Sequence, residues 1–188
     1  LWISLQTRLT LLHRAFFTNS HNPKASTHNC RLCGLVRESI EHFGECPRLK
    51  PAFELLRKLD GGTRWDAVTL NLFGQDEFKR TIKPGISLIH FIIWKFIIIH
   101  MTQLSLQGTT FRIEIVLDQA RRRVARKIES AQYNLRNICM AACARGETPK
   151  APQYIKWTNG IGTVNQEDEM LKIDLLPSVK TWLDTPRE

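Results

Sequence analysis

Cys30, Cys33, His42 and Cys46 fall within seventeen residues and constrain this chain more than any other feature. Two cysteines separated by two residues can set both sulfurs on one side of a tight turn. His42 and Cys46 are four apart, which places them about one turn apart on one face of a helix. Three thiolates and one imidazole form one of the ordinary tetrahedral ligand sets of structural zinc. Gly34, directly after Cys33, suits a backbone that curls back with positive φ. The segment from Gly34 to Glu41 is predicted to be a return loop, with a helix starting at His42. With four protein ligands no coordination position is left open, so the expected Zn2+ is structural. Such a site folds its own segment, with an apparent binding energy of about 10–16 kcal/mol. A redox pair at Cys30 and Cys33 would need a strand before it and a helix after it, and the pattern around Cys30 offers neither. His28 is a weaker candidate ligand than His42, which has the one-turn spacing to Cys46.

Residues on either side of these four extend the pattern. Trp2, the run from Leu9 to Phe16, Cys30, Cys33, Gly34, Glu38, Glu41, His42, Cys46 and Pro47 follow one another in an order that resembles the zinc-binding domain at the C-terminal end of non-LTR retrotransposon reverse transcriptases. Further on, Ile92, Ile93, Trp94 and Lys95 look like the apolar helix that often trails that domain. The interval between His42 and Cys46 is one residue shorter than is usual in the family. The resemblance implies a non-catalytic region that helps a reverse transcriptase engage template RNA or target DNA.

Charge agrees with a polyanionic partner. The 188-residue chain carries a net charge of +9, and the excess is uneven. Residues 1–144 hold 21 Lys+Arg against 11 Asp+Glu, whereas residues 145–188 hold 6 against 7. A strongly basic globular region is a candidate for nucleic acid. Five cysteines, three of them in the metal set, argue against a disulfide framework and for an intracellular location, nucleus or cytoplasm. The chain begins at Leu1, which is expected of part of a longer polypeptide.

Helical periodicity dominates the pattern, and the fold class is predicted to be mostly α. Trp2, Leu5, Leu9, Leu12 and Phe16 mark one face of a helix over residues 1–19. A helix from Arg48 to Leu59 presents Phe53, Leu55, Leu56 and Leu59 and stops at Asp60, Gly61 and Gly62. A short helix is predicted from Trp65 to Phe73. Residues 1–74 are therefore read as a zinc-binding helical module. The run from Ile86 to Leu106 approaches the length of a membrane span, yet His90, Lys95 and His100 interrupt it, and a mid-span lysine costs roughly 2.5–3.5 kcal/mol on insertion. It is predicted to be a helix buried centrally in a helical core, with both histidines at its edges and no membrane partner. After Gly108, Thr109 and Thr110, expected to cap the next helix, apolar residues recur at Ile113, Leu117, Ala120, Val124, Ile128, Ala131, Leu135, Ile138 and Ala142. This stripe predicts a helix from Phe111 to Ala144, antiparallel to the one before, giving a hairpin over residues 81–144. Cys139 and Cys143 on it are expected to be buried thiols. Beyond Arg145 no sustained period survives, and residues 145–188 are predicted to form an irregular, loop-rich or disordered tail, with Tyr154, Trp157 and Trp182 suited to local docking.

No catalytic constellation emerges. A polymerase needs paired aspartates to hold two metal ions, and Asp76 with Glu77 has no third carboxylate beside it. The chain is expected to be a non-enzymatic accessory region whose partners are RNA or DNA and the rest of a reverse transcriptase polypeptide. The predicted phosphate contacts are Arg31, Arg37, Arg48 and Lys50 around the metal, continued by Arg121, Arg122, Arg123, Arg126 and Lys127. Phe43 is a candidate for stacking on unpaired bases. The alternative is a structural or protein-interaction zinc module that docks on another domain or chain.

Overall fold

A computed structural model describes residues 27–61, 83–107, 110–167 and 170–185. Within them the chain is mostly α: α1 (Ile40–Glu45), α2 (Lys50–Leu59), α3 (Pro84–Gln107), α4 (Ile113–Cys143), α5 (Pro152–Thr158) and α6 (Pro177–Asp184). One two-stranded antiparallel sheet, β1 (Gly162–Glu167) with β2 (Met170–Leu175), lies between α5 and α6. The helices predicted over 1–19 and 65–73, together with Gly108 and Thr109, lie outside the described residues.

The central element is α3. A helix apolar all round has to be covered on several sides, and Ile86, Ile89, Ile92, Ile93, Trp94, Ile97 and Met101 are buried. Its solvent side is a narrow strip through Lys95, Ile99 and Thr102. Isoleucine is a modest helix former because its branched β-carbon restricts χ1, so burial rather than propensity holds this helix. By length and composition residues 84–104 are also long and apolar enough to cross a membrane, with half of that window buried inside the protein. One correction concerns His90, expected at an edge. It is 3% exposed and accepts a 2.9 Å bond from Trp94 Nε1, so the imidazole is satisfied one turn away on its own helix.

Antiparallel packing of α4 on α3 follows from the bond between His100 and Gln119, which lie at similar distances from the connection. On α4 the buried residues are Ile113, Val116, Ala120, Val124, Ala131, Leu135, Cys139 and Ala142. Leu117, Ile128 and Ile138 from the predicted stripe are half-buried beside them. Cys139 is buried as expected, but Cys143 is exposed. The helix starts at Ile113 with Arg112 at its N-cap, so Thr110 does not cap it. On α2, which starts two residues later than predicted, Ala52, Phe53, Leu56 and Leu59 face the core.

The tail departs most from its expectation. Residues 145–188, predicted to be loop-rich or disordered, hold α5, the hairpin and α6, and they supply Ala151, Ile161, Leu171, Ile173 and Val179 to the buried interior. Trp157 and Trp182 pack against that interior rather than waiting for another partner. Two side chains of α4 close the outer edge of β2. Gln132 donates from Nε2 to Leu171 O (3.1 Å) and accepts from Ile173 N (2.9 Å), while Leu171 N donates to Cys139 Sγ (3.1 Å). A helix thus takes the place of a third strand and leaves that edge unable to recruit another chain. The hairpin also needs Gly162, because a Cβ there would lie 2.4 Å from Asp174 O.

Candidate metal centre

The first two ligands sit on a compact turn. Asn29 and Arg37 form an isolated antiparallel bridge, Cys30 N donates to Val36 O (2.7 Å), and Gly34 N donates to Cys30 O (2.7 Å). Gly34 has φ +71°, the left-handed region that glycine enters without strain. The result is a small hairpin that turns both sulfurs inward. The other two ligands come from α1, which begins at Ile40 rather than at His42. Ser39 supplies the reason: it is the N-cap, and its hydroxyl accepts from His42 N at 3.0 Å. His42 therefore rides inside the first turn, and Cys46 is the C-cap.

The four ligand atoms lie within 4.8 Å of one another, positioned to hold a metal ion. Cys30 Sγ and Cys46 Sγ are 4.0 Å apart, and Cys33 Sγ is 3.3 Å from His42 Nε2. Zinc bonds of about 2.3 Å to sulfur and about 2.0–2.1 Å to nitrogen, at tetrahedral angles, separate neighbouring ligand atoms by about 3.5–3.8 Å. These two separations bracket that range, and with all four atoms within 4.8 Å of one another the set fits such an ion after the ligands draw in by about an ångström or less. A disulfide between Cys30 and Cys46 would require about 2.05 Å.

Cys30 and Cys46 are 2% and 1% exposed, and their sulfurs are close enough for either thiol to donate to the other. The bond to Cys46, helped by burial, pushes the Cys30 thiol up, while the same bond pulls Cys46 down toward the thiolate. Two adjacent buried sulfurs cannot both carry full negative charge without a cation, which is the electrostatic condition a metal site provides.

A buried ion pair braces the hairpin from behind. Glu38 is fully buried and accepts from Arg31 N (2.8 Å), Arg31 Nε (3.1 Å) and Arg31 Nη2 (2.8 Å). This side-on pairing locks the residue that follows Cys30. The spacing of Arg31 and Glu38 across the turn is visible in the sequence, but the pairing becomes legible only once the bridge of Asn29 to Arg37 sets the register.

The predicted phosphate contacts fare unequally. Arg31 is committed to Glu38, and Lys50 is 3.8 Å from Glu54 one turn along α2. Arg121 bonds Asp118 at 2.6 Å, and Arg122 bonds the other oxygen of the same carboxylate. Arg37, Arg48, Arg123, Arg126 and Lys127 are exposed, and no hydrogen bond or ion pair of their side chains is found among the described residues. Phe43 is not available for bases. It is fully buried between His42 and Cys46 on α1 and meets Trp94 edge-on, with ring centroids 6.4 Å apart. This aromatic contact helps pin the metal segment to the central helix, within an apolar cluster that also holds Cys30, Leu32 and Cys46.

Comparison with protein-family models, curated proteins and solved structures yields no match for this chain.

Proposed function

We propose that this chain is a zinc-stapled helical module that binds nucleic acid without catalysing a reaction, as the C-terminal region of a retroelement reverse transcriptase would. The observation that carries the metal half is the set of four ligand atoms within 4.8 Å. Zinc is the ion that suits it, since three thiolates and an imidazole in a closed tetrahedron are a structural zinc set. The nucleic-acid half rests on the net charge of +9 and on exposed cations that no carboxylate occupies among the described residues: Arg37 and Arg48 near the metal, and Arg123, Arg126 and Lys127 on α4. The retroelement assignment rests on the order of residues from Trp2 to Pro47.

Two measurements test the reading. Native mass spectrometry should give one zinc per chain, lost with chelator. Titration of RNA or DNA binding against salt should give a steep decline, because each phosphate contact releases counterions. Arg123→Glu combined with Arg126→Glu should weaken binding and lower the salt slope by about two. These two are better probes than Arg121 and Arg122, whose replacement also breaks bonds to Asp118. Metal-free material with the same fold ends the zinc proposal, and binding indifferent to salt and to this double variant ends the nucleic-acid proposal.

Docking on another domain or chain is the second reading, and exposed Leu35 (71%) and Val36 (49%) at the tip of the metal hairpin favour it. The apolar helix does not, because α2, α4 and α5 already cover α3.

A further inference from the structure

The outer face of α4 carries more than charge. At 100° per residue, Arg122, Arg126, Tyr133, Asn137 and Met140 fall in one narrow strip opposite the buried side, and all are exposed. Tyr133 is 64% exposed and Met140 67%. Arg123 and Lys127 border the strip on one side and Arg136 on the other. From Arg122 to Met140 the helix holds five cations, of which Arg122 is bonded to Asp118, and one carboxylate, Glu129, which lies at the edge of the strip beside Arg122. That length is about 27 Å along a helix axis.

A tyrosine left in water in the middle of a basic row does nothing for the fold, since its ring is set opposite the core. We infer that this face is a platform for an unpaired nucleic-acid strand, with Tyr133 stacking on a base while Arg126, Lys127 and Arg136 meet the phosphates on either side. The inference rests on the nucleic-acid reading above and narrows it to single strands and to α4. Bases in a duplex keep their faces stacked inside, whereas an unpaired base offers its face to an aromatic ring, and cations tracking the backbone complete such a site. A membrane surface fits less well. Interfacial helices bury a continuous apolar face, and here exposed apolar residues stand singly at Ile115, Tyr133 and Met140 with charge between them. Charge also decides against a protein groove, because Arg123, Arg126, Lys127 and Arg136 against the single carboxylate of Glu129 call for a dense anion.

The test uses the full chain with zinc, a fluorescent single-stranded oligonucleotide and the duplex of the same sequence, with anionic phosphatidylserine vesicles as a third arm. Tyr133→Ala should weaken single-strand binding by about 5- to 100-fold, with duplex binding little changed, and Tyr133→Phe should keep the parent affinity because the ring is retained. Circular dichroism should show Tyr133→Ala folded, as expected of a side chain outside the core. If Tyr133→Ala binds the single strand as the parent does, or if the duplex is preferred, this inference fails while the nucleic-acid reading stands. Binding to neither oligonucleotide overturns both. Vesicle binding that depends on Tyr133, with no response to either oligonucleotide, assigns the face to membranes and overturns this inference too.

Discussion

The metal hairpin and the α3–α4 pair are held by opposite means. Residues 29–46 contribute few large side chains to the interior, Phe43 chief among them, and owe their shape to four ligand atoms, a buried Arg31–Glu38 pair and a handful of backbone bonds. The long helices owe theirs to an unbroken apolar interior from Ile86 to Val124. On the zinc proposal the first kind of order depends on an ion and on pH, while the second responds to side-chain volume. Phe43 against Trp94 is the aromatic contact where the two meet, in a cluster that also takes in Cys30, Leu32 and Cys46.

The strongest way to break this contrast is to remove the metal or to make Cys30→Ser. Amides of Cys30, Gly34 and Glu38 should lose hydrogen-exchange protection while those of α3 keep theirs, since a structural zinc site supplies about 10–16 kcal/mol of apparent folding energy to its own segment. Uniform loss across both regions would show that they are one cooperative unit. Acid should do the same as chelator, because protonation of the thiolates competes with the metal. Next in size is Trp94→Ala, which removes the joint and the donor to His90, and it should cost about 3–5 kcal/mol by denaturant unfolding. A value below 1 kcal/mol would mean that the hairpin and the helices do not share a core.

Gln132→Ala probes the other end of α4. It leaves Leu171 O and Ile173 N without their side-chain partner and should cost about 1–3 kcal/mol, together with faster exchange at Ile173. The smallest effect is expected at Asp118. Bonds from Arg121, and then Arg122, hold its carboxyl below the usual carboxylate range. Its folded value is depressed, so its contribution is present at neutral pH and is lost as pH falls through that value. Asp118→Asn should cost about 0.2–1 kcal/mol at neutral pH, as surface pairs do, and the difference from the parent should vanish in strong acid.

What the sequence discloses follows from how many turns a signal spans. The stripe of α4 runs over eight turns: Leu117, Ile128 and Ile138 are half-buried against the core and the rest of its members are buried, while Val116 and Cys139 are the buried residues it omits. The ligand set is legible because its chemistry is confined to four residue types at short spacing. In the tail, by contrast, each element is six to eight residues long, too short to show a period. Pro152 and Pro177 stand in the first turns of α5 and α6, where a proline is at home because the first amides of a helix have no partner within it. The burial of Phe43 is not legible because an aromatic beside a metal ligand carries no mark of which way it faces. Arg31 is a similar case, its pairing with Glu38 being set by tertiary register.

Gln132 has a practical consequence for anyone trimming this polypeptide. Cutting the chain after α4 would strip the cover from Leu135 and Cys139 and from the end of α3 that touches Ile161. A shortened fragment would present a greasy seam to its neighbours and should clump or pair with itself. The smallest well-behaved piece therefore extends through Asp184, the end of α6, whose Val179, Trp182 and Leu183 pack on the interior.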